Sequence, residues 1–399
     1  MDKQYKSIIF DKNLNIEESY KLLDEIQKKL NEKQNIKSDI NYKIDRPIIL
    51  YGAGNLGKMA KRYFDKLEVP ILFIVDSNTE SINDPFWDNI KIFKPNEIPL
   101  HTRLKCITIV CIVTRPFMEI YNILNTFAFK NIIPFYDITL FYQDKHPLNN
   151  GWMINKLDIQ DIIKIRYILS KLKDDISRSH HLQFVAWHCL REEWIFKNVS
   201  ILNDNRYFIP EIISILNDNE IFVDIGAHHG EVTLKFMDIV YNKFDNILLI
   251  EPDRDNIDNL VDNIKENIHN YNISLIPIAI GEKNEEQKNF YCGLDYASQF
   301  SNISNDYVRV KKIDDLNINP TFIKIHTEGN EIDIINGGIK TINKNRPIIT
   351  TTYYHNSNGL WKSIYQLMTT LKDYIFYTRL HSWCGTGAVI YAIPKERSK

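Results

Sequence analysis

The feature that most constrains this chain is the run Ile221-Phe-Val-Asp224-Ile-Gly226-Ala227-His228-His229-Gly230-Glu231, which continues at helical spacing. An apolar strand ends at an acid, passes through a glycine-bearing turn and opens a helix. Glycines belong there because the chain must turn tightly and let a ligand approach the backbone. Roughly twenty residues on, a second strand ends in Ile250-Glu251-Pro252, with the acid placed to accept hydrogen bonds from both ribose hydroxyls of a nucleoside. A related signature lies upstream, where Tyr51-Gly52-Ala53-Gly54-Asn55-Leu56-Gly57 follows a strand and Asp76 ends the next one. Two such signatures predict an α/β chain with two Rossmann-like, doubly wound domains.

The 399 residues exceed one ordinary core, in keeping with more than one folded unit. A hydrophobic share of 44% and a charged share of 25% are those of a globular chain. The net charge of −2, with no dense Lys/Arg cluster, argues against nucleic acid as a partner. No apolar run approaches the ~20 residues of a transmembrane segment, and no signal-like stretch follows Met1-Asp2-Lys3-Gln4, so a cytoplasmic location is expected. Cys106, Cys111, Cys189, Cys292 and Cys384 are scattered without a CxxC pair, which indicates neither a disulfide framework nor a structural zinc site.

Residues 1–45 are expected to form a helical segment. Within it, 16–34 carries apolar positions at helical spacing, suited either to packing on its own domain or to pairing in a homodimer. Residues 46–150 alternate strand-like runs (47–51, 70–75, 107–113, 131–135) with helical ones (55–67, 117–129), the pattern of a parallel sheet covered by helices. From 151 to 216 strands give way to helical stretches at 156–172 and 184–196, with a turn marked by Asp174, Asp175 and Ser177. That reads as a helical connector or lid. A second α/β series occupies 217–399.

The downstream turn has D-x-G-x-x-x-G spacing, not the G-x-G-x-x-G of dinucleotide sites. This favours S-adenosylmethionine over NAD, because that ligand has no pyrophosphate for the helix N-terminus to hold. The expected cofactor residues are Asp224, Gly226, Ala227, His228, Gly230, Glu251 and Pro252, with Ala279 and Ile280 after a third strand at 274–278. A fourth strand leads into Lys324-Ile-His326-Thr327-Glu328-Gly329-Asn330-Glu331, followed by Asn336-Gly337-Gly338, Arg346-Pro347 and a closing strand at 388–394. Together these residues resemble the FkbM family of methyltransferases. The family's V-D-I-G-A-x-x-G turn, second-strand E-P, K-I-D-x-E-G-x-E block and R-P-x-I are matched in order across roughly 217–394. The resemblance implies S-adenosylmethionine-dependent O-methylation of a hydroxyl on a sugar or polyketide-like molecule, and in bacteria often on surface polysaccharide precursors. One position departs from it: His326 stands where the family has an Asp pointing into the site.

Methyl transfer from a sulfonium is an in-line displacement, so the acceptor oxygen must be aligned and lose its proton. His326 is a candidate base or metal ligand, since an imidazole suits proton abstraction near neutral pH. The alternative is altered or lost activity. His355 follows a strand at 347–353 and so sits at the carboxyl edge where open α/β sheets bind ligands. Glu328 matches the family acid and can hold a substrate hydroxyl, or with Glu331 can cap the next helix. The resemblance also brings Tyr354, Arg379 and His381 to the substrate side, although His228, His229 and His381 taken singly read first as structural histidines. His326, Glu328 and His355 have the donor types of a divalent-metal site, but their spacing sets no geometry and metal dependence stays open.

In the upstream turn, Gly52 turns the chain, Gly54 admits a phosphate and Gly57 packs helix on sheet. With Asn55, Leu56, Asp76, Ser77 and Thr114, the pattern resembles nucleotide-binding modules of sugar-modifying enzymes. It implies a second ligand, a nucleotide or the nucleotide part of an activated sugar; an empty structural crevice is the alternative. The reading that unites both halves is a sugar or nucleotide-sugar O-methyltransferase. Its rivals are an NAD(P)-dependent oxidoreductase, which has no use for the E-P and K-I-H-T-E-G blocks, and a non-catalytic nucleotide-binding protein.

Overall fold

Short apolar runs separated by amphipathic helices assemble into two parallel-rich sheets. The computed structural model describes residues 5–11, 14–33, 42–142, 145–146, 148, 157–293, 297–302, 304–355 and 358–398. Strand β1 (Lys6–Phe10) and helix α1 (Ile16–Lys33) come first. The first sheet unit then runs β2 (Ile48–Tyr51), α2 (Asn55–Lys66), β3 (Ile71–Val75), β4 (Ile92–Phe93) and α3 (Leu100–Lys105). It continues through β5 (Ile107–Val110), α4 (Phe117–Thr126), β6 (Ile132–Pro134) and α5 (Phe135–Phe141). All five strands are parallel in the order β4-β3-β2-β5-β6. The winding reverses between β2 and β5, which opens a crevice beyond their carboxyl ends. Every residue of β2 and β5 is buried, as expected of strands covered on both faces.

Between the sheets lie α6 (Ile159–Lys171), α7 (Asp175–Leu190), β7 (Glu192–Phe196) and the short α8 (Pro210–Ile213). Asp158 and Asp174 cap α6 and α7 by accepting the backbone N–H of Asp161 and Ser177. At Arg191 the backbone turns left-handed (φ 56°) and then extends into β7. This corrects two expectations: 151–216 is not free of strands, and 1–45 is not purely helical. β1 and β7 pair in parallel, with Lys6 opposite Glu192, so each strand's partner is remote in sequence and local periodicity cannot reveal it. Residues 151–156 of the expected connector lie outside the described residues. Helix α1 packs on α6 and α7, where Leu23 and Ile26 share one core with Ile165 and Leu182 and with Val223 and Ile349 of the second sheet. The stretch expected as connector or lid is thus a helical layer on that sheet.

The second sheet unit begins β8 (Ile221–Ile225), α9 (Glu231–Ile239), β9 (Asn246–Ile250), α10 (Arg254–Asn270) and β10 (Ile273–Ile276). Strands β11 (Ala279–Ile280), β12 (Glu285–Tyr291), β13 (Gln299–Phe300) and β14 (Tyr307–Lys311) form a small sheet of their own. The main sheet resumes with β15 (Phe322–Ile325), α11 (Glu331–Gly337), α12 (Ile339–Asn345) and β16 (Ile348–Thr352). It closes with α13 (Lys362–Thr370), β17 (Tyr374–Leu380) and β18 (Ala388–Pro394). Its order is β10-β9-β8-β15-β16-β18-β17, with β18 antiparallel to both neighbours. The winding reverses between β8 and β15. Both sheets are doubly wound, which is the expected fold class. No described helix is long and apolar enough to cross a membrane.

Candidate functional site

Beyond the carboxyl ends of β8 and β15 the chain makes a turn that only glycine permits. Gly226 has φ +73°, and a Cβ there would lie 1.9 Å from the carbonyl oxygen of His326. The turn and the tip of β15 are therefore pressed together. Lys324 locks them further: its ammonium lies 2.8 Å from Asp224 Oδ1 and donates to the Gly226 carbonyl at 2.6 Å. Thr233 Oγ1 donates to Asp224 Oδ2 at 2.8 Å, so Asp224, fully buried, braces the turn from beneath. At the tip of β9, Glu251 accepts the backbone N–H of His228 (2.9 Å) and of Asp253 (3.0 Å). Burial raises its pKa against the opposing effect of those bonds.

A cleft of about 640 Å³ opens above this turn. Of the expected cofactor residues, Gly226, His228, Glu251, Pro252, Ala279 and Ile280 line it; Asp224, Ala227 and Gly230 do not. Gly230 instead starts α9 with φ +87°. Asn256, Phe290, Phe300 and Asn330 also line the cleft, and no motif in the sequence singles them out. Asp253 ties down the outer wall, accepting from Gly293 N at 2.9 Å and Ser298 Oγ at 2.6 Å.

His326 and Glu328 line this cleft, and His355 comes together with them behind it. His326 Nε2 lies 3.2 Å from Glu328 Oε1, and His355 Nδ1 lies 3.4 Å from Glu328 Oε2. Tyr207 Oη is 2.7 Å from His326 Nδ1, and Tyr354 Oη is 3.3 Å from Nε2. Burial, then His355 and Lys324 beside it, hold His326 well below the ordinary imidazole range. Burial and then Arg206 push His355 down to about 3, while burial and then Glu331 hold Glu328 well above the usual carboxylate range. Near neutral pH both histidines are therefore uncharged. Glu331 accepts from Thr327 N (3.2 Å), Gly329 N (3.4 Å) and Thr352 Oγ1 (3.1 Å), which fastens this loop to β16.

A second, larger cleft of about 1410 Å³ lies between the two sheet units. From the first unit it takes Gly52, Gly54, Asn55, Leu56, Asp76 and Thr114, and from the second His326, Glu328, Tyr354 and His355, with Arg206 between them. The three glycines of the upstream turn differ in what they do. A Cβ on Gly57 would lie 2.1 Å from the Gly52 carbonyl oxygen and one on Gly52 (φ +109°) 2.7 Å from Ile112, whereas one on Gly54 meets nothing within 4 Å. Asp76 accepts from Ala53 N and Asn78 N, each at 2.9 Å, and Ser77 Oγ pairs with Tyr51 Oη at 2.7 Å. Gly57 and Ser77 do not reach the cleft.

Arg379 and His381, expected on the substrate side, are placed elsewhere. Arg379 binds Asp174 (2.7 Å), Glu211 (2.8 Å) and Ser177 Oγ (2.6 Å), which pins β17 to α7 and α8. His381 is held between Leu202 O (2.7 Å) and Tyr391 Oη (2.6 Å). Neither lines either cleft, because their polar atoms are spent on joining the helical layer to the sheet. Arg206 and Lys324 are the residues that sequence reasoning missed. Arg206 follows an Asn-rich stretch without periodicity; Lys324 was legible only as part of the K-I-H block.

Residues 224–376 match the family model described as the Methyltransferase FkbM domain. Among solved structures, the chain is similar to methyltransferase FkbM from Methylobacillus flagellatus KT, at 16% identity and a TM-score of 0.59, over 94% of this chain and 100% of that one. Precorrin-6y C5,15-methyltransferase from Geobacter metallireducens GS-15 gives 14% identity and a TM-score of 0.30 over 48% of this chain and 91% of its own. Fold likeness rests on the first of these. No curated protein matches the chain. The family match begins at Asp224, the acid under the glycine turn, and ends inside β17, so residues 224–376 carry an FkbM methyltransferase domain.

Proposed function

We propose that the chain transfers the methyl group of S-adenosylmethionine to a hydroxyl of a sugar carried on a nucleotide, a class of acceptor that the family resemblance links to bacterial surface polysaccharide. The observation that carries this reading is a shared wall: His326 and Glu328 line both clefts. A donor in the first and an acceptor in the second would meet at these two side chains. Support for the donor comes from Glu251, at the second-strand tip where a ribose is held, and from Ile280 and Phe300, apolar surfaces for a base. Support for a nucleotide in the second cleft comes from the open space at Gly54 and from α2, whose N-terminus has no side-chain cap and offers backbone N–H groups to phosphate. Arg206 adds a guanidinium to the same cleft.

In the reaction the acceptor oxygen attacks the methyl carbon in line with sulfur, the C–S electron pair stays on sulfur, and the hydroxyl proton leaves. The protein contributes alignment and proton removal. The His326–Glu328–His355 group stands where that proton is lost. Imidazoles held so far below their usual range are weak bases near neutral pH, so proton removal needs more than a lone histidine.

Calorimetry of the folded chain with S-adenosylhomocysteine and with a nucleotide-sugar tests both halves. Glu251→Ala is expected to weaken S-adenosylhomocysteine by roughly tenfold or more, as loss of a charged hydrogen-bond acceptor does, while nucleotide-sugar binding holds. Gly54→Val, whose side chain fills open space, is expected to do the reverse. Folded wild-type protein that binds no S-adenosylhomocysteine overturns the reading. Nucleotide-sugar binding that ignores Gly54→Val removes its second half.

A further inference from the structure

We propose that His326, Glu328 and His355 together hold one divalent transition-metal cation at the junction of the two clefts. The binding rests only on the geometry of this site; its role in methyl transfer rests on the function proposed above. One ligand atom from each residue lies within 4.8 Å of the others, with His326–Glu328 and Glu328–His355 separations of 3.2 and 3.4 Å. Two ligands each about 2.1 Å from one ion, at angles between octahedral and tetrahedral, stand roughly 3.0–3.4 Å apart. The two distances run to different Glu328 oxygens, so the three groups stand within 4.8 Å and small side-chain rotations would close them on one ion.

The surroundings point the same way. His355 is 2% exposed, and neither of its ring nitrogens has a hydrogen-bond partner in the structure. Buried imidazoles rarely go unsatisfied. His326 has its Nδ1 against the Tyr207 hydroxyl, which fixes the ring with Nε2 toward Glu328 and the Tyr354 hydroxyl. A partner on the far nitrogen is the usual outer support of a metal-bound histidine. The partly buried Glu328 and the buried Glu331 place two carboxyl groups beside the two imidazoles. The position where the family resemblance places Asp acquires a meaning here. An oxygen ligand there would suit Mg²⁺, whereas two imidazoles and one carboxylate suit Mn²⁺, Fe²⁺, Co²⁺ or Zn²⁺.

Because His326 and Glu328 line both clefts, an ion held by them would lie where donor and acceptor meet. Such an ion would make an acceptor hydroxyl more acidic, so that its proton would pass to solvent as its oxygen pair forms the O–CH₃ bond. The sulfonium charge is cancelled as the C–S pair returns to sulfur, and one proton is released per turnover.

The test uses the full chain, stripped with a chelator and titrated with Co²⁺, whose visible absorption reports nitrogen and oxygen ligation. One Co²⁺ per chain is expected. His355→Ala and Glu328→Gln should each weaken it by more than the 10- to 100-fold typical of losing an outer-shell partner. His229→Ala, in the separate His228–His229–Glu231 cluster, should leave the affinity unchanged. His326→Asp should retain a site but shift its preference from Co²⁺ toward Mg²⁺, a change that a merely structural histidine would not produce. Protein that binds S-adenosylhomocysteine yet takes up no Co²⁺ overturns the metal proposal and leaves the donor reading standing. Uptake of Co²⁺ without S-adenosylhomocysteine binding does the opposite. Uptake indifferent to His355→Ala and Glu328→Gln also overturns it.

Discussion

Arg379 shows how a single residue can look functional in sequence and serve the fold in three dimensions. Its guanidinium is shared among Asp174, Glu211 and Ser177, at the seam where β17 meets the helical layer. Removing it strands two carboxylates in a mostly buried place. Arg379→Ala is therefore expected to cost about 2–4 kcal/mol of stability, as breaking a buried pair does. Denaturant unfolding reads the stability, and the KM for the acceptor should stay within about twofold because the residue lines neither cleft. A large KM change with unchanged stability would return Arg379 to the substrate side. Asp224 was similarly legible as an acid before the glycine turn, but not its partner: only the register of β8 against β15, with Asp224 opposite Lys324, brings the two together. Gly52, Gly57 and Gly226 were the most readable residues, because each has a steric reason that the spacing already implies.

At the scale of elements, β7 carries a group whose ionisation opposes folding. Glu193 is 3% exposed and accepts the backbone N–H of Phe117 at 2.6 Å, at the start of α4. Burial outweighs that bond and raises its pKa from 4.5 to about 7. The folded state then binds the proton more tightly than the unfolded chain. Stability contributed by this group is greatest below about pH 4.5 and is lost as pH rises toward 7, above which the penalty is constant. Glu193→Gln should flatten that slope and leave the protein more stable than wild type by roughly 1–3 kcal/mol at pH 8, with little difference at pH 5. Urea unfolding at the two pH values checks this, and a variant less stable at pH 8 would contradict it. The strand itself escaped sequence reading: among the described residues β7 pairs only with β1, and a run of five residues next to a helix looks like more helix. The strands of the two main sheets, with their neighbours' apolar runs and turns in regular alternation, were readable because pattern and punctuation agreed.

At the scale of the whole molecule, each half announced its own ligand turn, but nothing in the sequence encodes how the halves face one another. That relation brings the two crevices together: His326 and Glu328 line both clefts, and Gly54 and His355 both line the larger one. The helical layer of α1, α6 and α7 backs the second sheet, which leaves the cleft side open to the first unit. A methyl group passing from one cleft to the other across the histidine–glutamate group is the central claim. A crystal structure with S-adenosylhomocysteine and a nucleotide-sugar bound together tests it most directly. The account predicts S-adenosylhomocysteine beside Glu251 with its sulfur turned toward Glu328, the nucleotide phosphates at Gly54, and a sugar hydroxyl between them at His326 and His355. S-adenosylhomocysteine lodged at the Gly54 turn, or a sugar pointing away from Glu328, would contradict it.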